Sequence, residues 1–215
     1  MTLLFALVTT SPAHGGREAT HVAVNIQTSP KAQLRPYGSK AHRLPTMSRL
    51  RVGDQIVLDD DQTVTLVFEA TGRIERWTGP GKVRLNTDQC TSDTGSVEVF
   101  ASDASLGDAF AVLPILVRRA TNERGSSMGL VTGMDGYEPV RLNEDERRQI
   151  AAAVKMSAKL RAELPDDIVV PELYRGILHV GFAQYAECVD AFSEAAKRCP
   201  ECPHMAAFEA WCADR

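Results

Sequence analysis

Thr63-Val-Thr-Leu-Val-Phe-Glu-Ala70 places Val64, Leu66 and Phe68 at every second position. Successive side chains of an extended strand point to opposite faces, so these three share one face and are buried together. The stretch predicts a half-buried strand and sets the reading of its surroundings. From Val22 to Ala101 apolar residues tend to alternate, punctuated by turn signals at Arg51-Val-Gly-Asp54, Asp59-Asp-Asp61, Thr71-Gly72 and Gly79-Pro-Gly81. Turn residues at this spacing join short strands into hairpins. Residues 19–120 therefore read as a β domain, an antiparallel sandwich or barrel. Inside it, Ala109-Phe-Ala-Val-Leu-Pro-Ile-Leu-Val117 reads as an edge or bent strand, because Pro114 removes a ladder donor.

The pattern then changes. Residues 121–142 are glycine-rich and read as a linker. Asn143-Glu-Asp-Glu146 has the form of a capping box, in which Asn143 accepts from a first-turn amide and Glu146 reaches back to the cap. Ile150, Val154 and Ala158, with Met156, Leu160 and Leu164 beside them, form an apolar helical stripe ending at Pro165. Further helices are expected near 167–180, 184–198 and 204–214, separated by Gly181-Phe-Ala183 and by the turn from Pro200 to Pro203. The fold class is α+β, with an N-terminal β sandwich or barrel followed by a helical bundle over 143–215.

Composition narrows the function classes. The 215 residues are 44% hydrophobic and 24% charged, the balance of a globular protein. With 24 basic against 28 acidic side chains there is no basic excess to neutralise phosphates, so nucleic acid is excluded as a partner. The acidity is concentrated in residues 143–215, which carry 9 basic and 13 acidic side chains. No run approaches the roughly 18–20 apolar residues that cross a bilayer. Residues 1–18, beginning Met1-Thr-Leu-Leu-Phe-Ala-Leu-Val8, look like the apolar core and small-residue tail of a secretory signal, though no Lys or Arg precedes the core. The alternative is an ordinary hydrophobic strand.

Leu173-Tyr174-Arg175-Gly176, followed by Tyr185, Cys188, Phe192, Ala195 and Pro200, resembles one tetratricopeptide repeat. The resemblance implies that Gly176 lets a second helix approach closely, that Cys188 and Ala195 are small packing positions, and that Phe192 is a large one. Arg175 and His179 depart from the family's apolar and aromatic choices. A single repeat cannot bury its own apolar face, so the helix before it and the one carrying Phe208 and Trp211 are expected to cover it. The β half, from Met47 through Gly53-Asp54 to Gly79-Pro80-Gly81, resembles the FecR-type periplasmic domain. That likeness implies a β-rich, extracytoplasmic domain concerned with signalling or envelope assembly.

Four of the five cysteines, Cys188, Cys199, Cys202 and Cys212, fall in the last 28 residues; Cys90 stands apart. Cys188 and Cys199 share a helix face but are separated by about 16 Å of rise, so neither can bond the other. Disulfides pinning the last helix to the repeat-like hairpin suit an exported protein, with connectivity left open. A zinc site from Cys199, Cys202, His204 and Cys212 has enough ligands but irregular spacing, and buried inert thiols are a further alternative. Cys199-Pro-Glu-Cys202 has the spacing of a thiol–disulfide exchange motif, without the βαβ surroundings of one.

Other chemical motifs lack their context. Gly125-Ser-Ser-Met-Gly129 matches a nucleophile elbow around Ser127, yet no helical pattern follows, and no Lys-Ser/Thr pair makes it a phosphate loop. Asp59-Asp60-Asp61 lacks the spacing and bidentate Glu of a calcium loop and reads as a solvated turn. His14, His21 and His42 are scattered. No catalytic set, metal site or cofactor is expected. The chain reads as a non-catalytic envelope interaction protein whose helical groove, marked by Glu172, Arg175, His179, Glu187, Asp190 and Glu194, binds a protein partner, through which it associates peripherally with the envelope. The alternative is a regulatory component of envelope signalling.

Overall fold

The computed structural model describes residues 20–100, 103–126 and 142–215. The segment read as a secretory signal, His14, and the glycine-rich stretch around Ser127 and Gly129 lie outside the described residues. Strands come first: β1 (His21–Thr28), β2 (Gln33–Arg35), β3 (His42–Arg43), β4 (Arg49–Arg51), β5 (Gln55–Leu58), β6 (Thr63–Phe68), β7 (Ile74–Thr78), β8 (Gly81–Leu85), β9 (Cys90–Ser92) and β10 (Ser96–Val99). Helices follow: α1 (Ala104–Ala111), α2 (Leu113–Ser126), α3 (Glu144–Glu163), α4 (Val170–Gly181), α5 (Tyr185–Arg198) and α6 (Pro203–Ala213). The α+β class and the order of its halves are as the sequence predicts.

The strands form two five-stranded antiparallel sheets, ordered β10-β7-β6-β1-β4 and β3-β2-β5-β8-β9. They pack face to face. Val64, Leu66 and Phe68 from the decisive stretch meet Leu34, Ile56, Val83 and Leu85 of the second sheet in one buried cluster. The Gly53-Asp54 turn is held by its carboxylate, which accepts the Arg51 N–H at 2.9 Å and the Tyr37 N–H at 3.3 Å. Asp54 thus satisfies backbone donors that a turn would otherwise leave unpaired.

The strand β6 is not half-buried. Thr65 and Val67, on its other face, are buried as well. Val67 joins Val24, Ile26 and Ile74 in a second apolar cluster that continues without a break through Leu106 and Phe110 of α1 to Leu173 and Ile177 of α4. The first sheet therefore has sandwich core on one side and helical core on the other. The two halves share a core.

Residues 109–117 lie in two helices joined at Val112, where an edge strand was expected. Pro114 is the second residue of α2, a first-turn position where its missing N–H leaves no hydrogen bond unmade. Asp103 caps α1 by accepting the Ser105 N–H at 2.9 Å, and the Ser105 hydroxyl, together with that N–H, holds its carboxyl below the ordinary range. Leu106, Phe110 and Leu113 then recur at helical spacing on the buried face.

Two glycines seat α1 on the β6–β7 hairpin. A Cβ on Gly107 would lie 1.9 Å from the Glu69 carbonyl oxygen, and one on Gly72, whose φ is +62°, would lie 1.6 Å from that of Asp103. Polar contacts complete the junction. The Gln27 side chain donates to the Asp167 carbonyl at 2.8 Å and accepts the Val169 N–H at 3.1 Å. Arg76 donates to both carboxylate oxygens of Asp167, at 3.0 and 2.6 Å.

Gly107→Ala is expected to destabilise the whole chain by about 1–3 kcal/mol or more, because backbone on both sides must move. The control is Gly181→Ala, whose Cβ meets nothing within 4 Å, and which is expected to stay within about 1 kcal/mol of the parent. Urea unfolding compares the two, and a single shared transition is expected for both halves.

The Arg76 guanidinium holds the Asp167 carboxyl below its ordinary value of 3.8. A depressed folded value means that the stabilisation is complete above the unfolded value and is lost as pH falls through the folded one. Asp167 is half-exposed, so the contribution is at most about 1 kcal/mol. Asp167→Asn should lower the urea midpoint at pH 7 and approach the parent as pH falls below 3.8 toward the depressed folded value.

Candidate functional site

The helical half is built around α4. The capping box at α3 is closed, with Asn143 N–H donating to Glu146 at 2.8 Å and Glu146 N–H donating to Asn143 at 2.9 Å. The Ser157 hydroxyl donates to the Pro171 carbonyl at 2.9 Å and fixes α3 against the start of α4. That bond sets the rotation of α3. Ala153, Ser157, Leu160 and Leu164 are buried, whereas Val154, expected on the apolar stripe, is 42% exposed.

On its other side α4 meets α5 closely. A Cβ on Gly176 would stand 2.8 Å from the Phe192 ring, so only glycine allows that approach. Phe192 in turn stacks on Phe208 of α6, with ring centroids 4.8 Å apart. Cys188 and Cys212 form a disulfide that staples α5 to α6, and Cys199 and Cys202 form a second across the turn between them. With their sulfurs bonded, Cys199, Cys202 and Cys212 offer no thiolate for the zinc reading, and burial pulls neighbouring His204 below its ordinary value. Cys90 is a buried free thiol, pushed far up by desolvation and then by the charge of Glu75.

A concavity of about 430 Å³ lies over α4, between α3 and α5. Five of the six residues expected to bind a partner line it: Arg175 and His179 from α4, and Glu187, Asp190 and Glu194 from α5. Arg175 and Glu194 are ion-paired at 2.5 Å. His179 Nδ1 lies 2.9 Å from Gln184 Oε1. Glu187 and Asp190 are exposed and make no ion pair or hydrogen bond among the described residues.

The sixth residue, Glu172, is not on the rim. It is 4% exposed and binds Arg161 at 3.2 Å and Arg198 at 3.1 Å. Arg161 also donates to the carbonyls of Leu164, Pro165 and Ile168, so Glu172 anchors the α3–α4 connection from within. The removal of a charged group from water requires such compensation. Its position in the first turn of α4, directly after Pro171, fits this inward role.

The concavity also contains Val154, Ser193 and Lys197, which sequence reasoning did not select. Ser193 and Lys197 were legible in principle, lying one turn and two turns beyond Asp190 on the same helix face. Val154 was hidden by the assumption that every apolar residue of α3 faces inward.

Elsewhere, Asp59 makes a local turn with Gln62, whose amide donates to the Asp59 carboxylate at 3.0 Å, and His21 and His42 are exposed on strands. Among the described residues no group of three or more His, Cys, Asp or Glu is placed to hold a metal ion, and no helix is long and apolar enough to cross a membrane. No family model matches the chain, and neither a curated protein nor a solved structure does.

Thiol titration of the unreduced protein should find no reactive group in the folded state and one, Cys90, in denaturant. Five thiols would refute the pairing. Replacing both Cys188 and Cys212 by Ser removes a cross-link spanning 24 residues of sequence, and should cost about 3 kcal/mol of stability in denaturant unfolding.

Proposed function

We propose that this chain is a non-catalytic, extracytoplasmic interaction protein of the cell envelope, most simply periplasmic, whose groove over α4 binds a segment of a protein partner. The observation that carries this reading is the concavity itself: three helices converge on it, and Glu187 and Asp190 stand on its wall with no partner among the described residues. Charged side chains left unpaired around a depression are free to be satisfied by another molecule. Two disulfides support a setting in which thiols oxidise. The tetratricopeptide-like positions in α4 and α5 add support from the sequence side. The warrant is architectural.

A regulatory role in envelope signalling is the second reading. It draws on the FecR-like turn at Gly53-Asp54, which Asp54 braces through Arg51 and Tyr37.

A photo-crosslinking residue placed at Lys197, in the groove, and in a separate protein at Lys82, on the far sheet, separates groove binding from surface collision. Point variants are used because the halves share a core and neither can be deleted cleanly. In intact cells the Lys197 probe should give a discrete adduct that the Lys82 probe does not, and Ser193→Trp, filling the groove, should abolish it with little change in melting temperature. Adducts of equal yield from both positions, or none from Lys197, would overturn the reading.

A further inference from the structure

We propose that the end of the sandwich formed by the β2–β3 and β4–β5 turns is a docking tip for an anionic bilayer surface. Tyr37 and Val52 enter the headgroup layer, and Arg35, Lys40, Arg51 and Arg84 meet its charges. The proposal is independent of the groove and adds a direct contact with lipid.

The pairing register brings these groups together. Gln55, the first residue of β5, lies between Arg35 of β2 and Arg84 of β8. Alternation along those strands turns Leu34, Ile56, Val83 and Leu85 into the sandwich core and leaves Arg35 and Arg84 exposed on the outer face. The β2–β3, β4–β5 and β8–β9 turns all sit at this end of the second sheet. The first carries Tyr37 and Lys40, and the second follows directly on Arg51 and begins with Val52.

One carboxylate holds both turns. Asp54 accepts the Tyr37 N–H through one oxygen, at 3.3 Å, and the Arg51 N–H through the other, at 2.9 Å. The Tyr37 ring lies against Gly53, where a Cβ would stand 3.5 Å from it. Tyr37 is nonetheless 80% exposed, the most of any large apolar side chain among the described residues, and Val52 is 45% exposed. The backbone beneath both side chains is fixed while the side chains stand in water. A phenol ring with a polar tip suits the boundary between water and lipid.

The charge around this apolar pair is an independent observation. Arg35, Lys40, Arg51 and Arg84 are exposed, and among the described residues none is ion-paired with a carboxylate. The Arg51 side chain donates to the His21 ring at 3.5 Å. The acids on the three turns are Asp54, which is buried and spent on backbone donors, and the exposed Asp88. The sign is thus opposite to that of the whole chain, whose net charge is -4. Unpaired cations around an exposed aromatic and aliphatic pair complement a surface that is negative outside and apolar beneath. A soluble polyanion would satisfy the cations and leave the apolar pair in water. Each basic side chain near an anionic membrane strengthens binding about fivefold, so four of them with a shallow apolar anchor give reversible attachment.

The test is sedimentation of the full chain with vesicles of phosphatidylcholine, alone or mixed with phosphatidylglycerol. The mixed vesicles should bind at least about tenfold tighter than the neutral ones and release the chain as salt is added. Arg35→Gln with Arg84→Gln should weaken that binding about tenfold. Arg147→Gln with Lys155→Gln, an equal change of charge on exposed positions of α3, should leave it unaltered. Tyr37→Ser with Val52→Ser should weaken it several-fold while keeping the urea midpoint of the parent. Every variant retains residues 1–19, so any contribution of that segment cancels. In Tyr37→Trp, brominated phosphatidylglycerol should quench the added emission; in Asp60→Trp, at the opposite end of the sheet, it should not.

No binding, or equal binding to both kinds of vesicle, would overturn the proposal. Equal loss from the two neutralised pairs would also do so, since it marks attraction without a site. Affinity unaltered by Tyr37→Ser with Val52→Ser would remove the lipid, and heparin binding equally indifferent to that change would assign the cations to a soluble polyanion. Vesicles carry no protein, so failure here leaves the groove reading intact, and absence of the Lys197 adduct leaves the tip intact.

Discussion

The seating of α1 on the β6–β7 hairpin is the contact through which a two-sheet sandwich and a helical bundle become one molecule. It depends on an absence of atoms. Gly107 presses its Cα against the carbonyl of Glu69, and Gly72 does the same against Asp103, so helix and hairpin approach within a distance that a single methyl group would forbid. With α1 in place, Leu106 and Phe110 cover the second face of the first sheet and carry its core into the bundle. Without it, Val24, Ile26, Val67 and Ile74 would form an exposed apolar face of the kind that monomeric proteins rarely tolerate.

The groove inherits its shape from that junction. Helix α4 rests on α1 by one side, while Gln27 and Arg76 of the sandwich grip the residues just before it. Its other sides are set by Ser157 on α3 and by the Gly176–Phe192 contact on α5. The floor of the concavity is therefore rigidly coupled to the β half. A rigid scaffold lowers the conformational cost of placing several polar groups around one guest, which is why binding groups are best carried on packed elements.

Much of this was legible in the sequence, for identifiable reasons. Alternation in β6 and glycine at the turns report strand and hairpin directly, and the Asn143–Glu146 box and Pro165 bound α3 within a residue. Reading failed where one residue admits two local meanings. Pro114 forbids a central strand and equally marks a first helical turn; Asp103, the cap that decides between them, lies six residues ahead of the expected strand. Val67 looked like the solvent face of β6 because the layer that buries it comes from distant sequence. Glu172 and Glu187 are each in the first turn of a helix, and only tertiary packing distinguishes the one that two arginines bury from the one left in water. Groove residues on α5 were recoverable because they repeat on one helix face, whereas the direction of α3 was set by a side chain to backbone bond that no periodicity reports.

The contrast between these carboxylates bears on what the bundle is for. Glu172 is buried with Arg161 and Arg198, an arrangement that serves the fold by tying the ends of three helices. Glu187 has some compensation as well, since a negative charge in the first turn of α5 is favoured by the helix dipole. Asp190 has neither. It lies beyond the first turn, one helical turn from the like charge of Glu187, and no cation of the described chain meets it. Repulsion between like charges at such spacing costs a few tenths of a kcal/mol. Asp190 therefore gains nothing from its own helix, and its charge stands in solvent on the wall of the concavity.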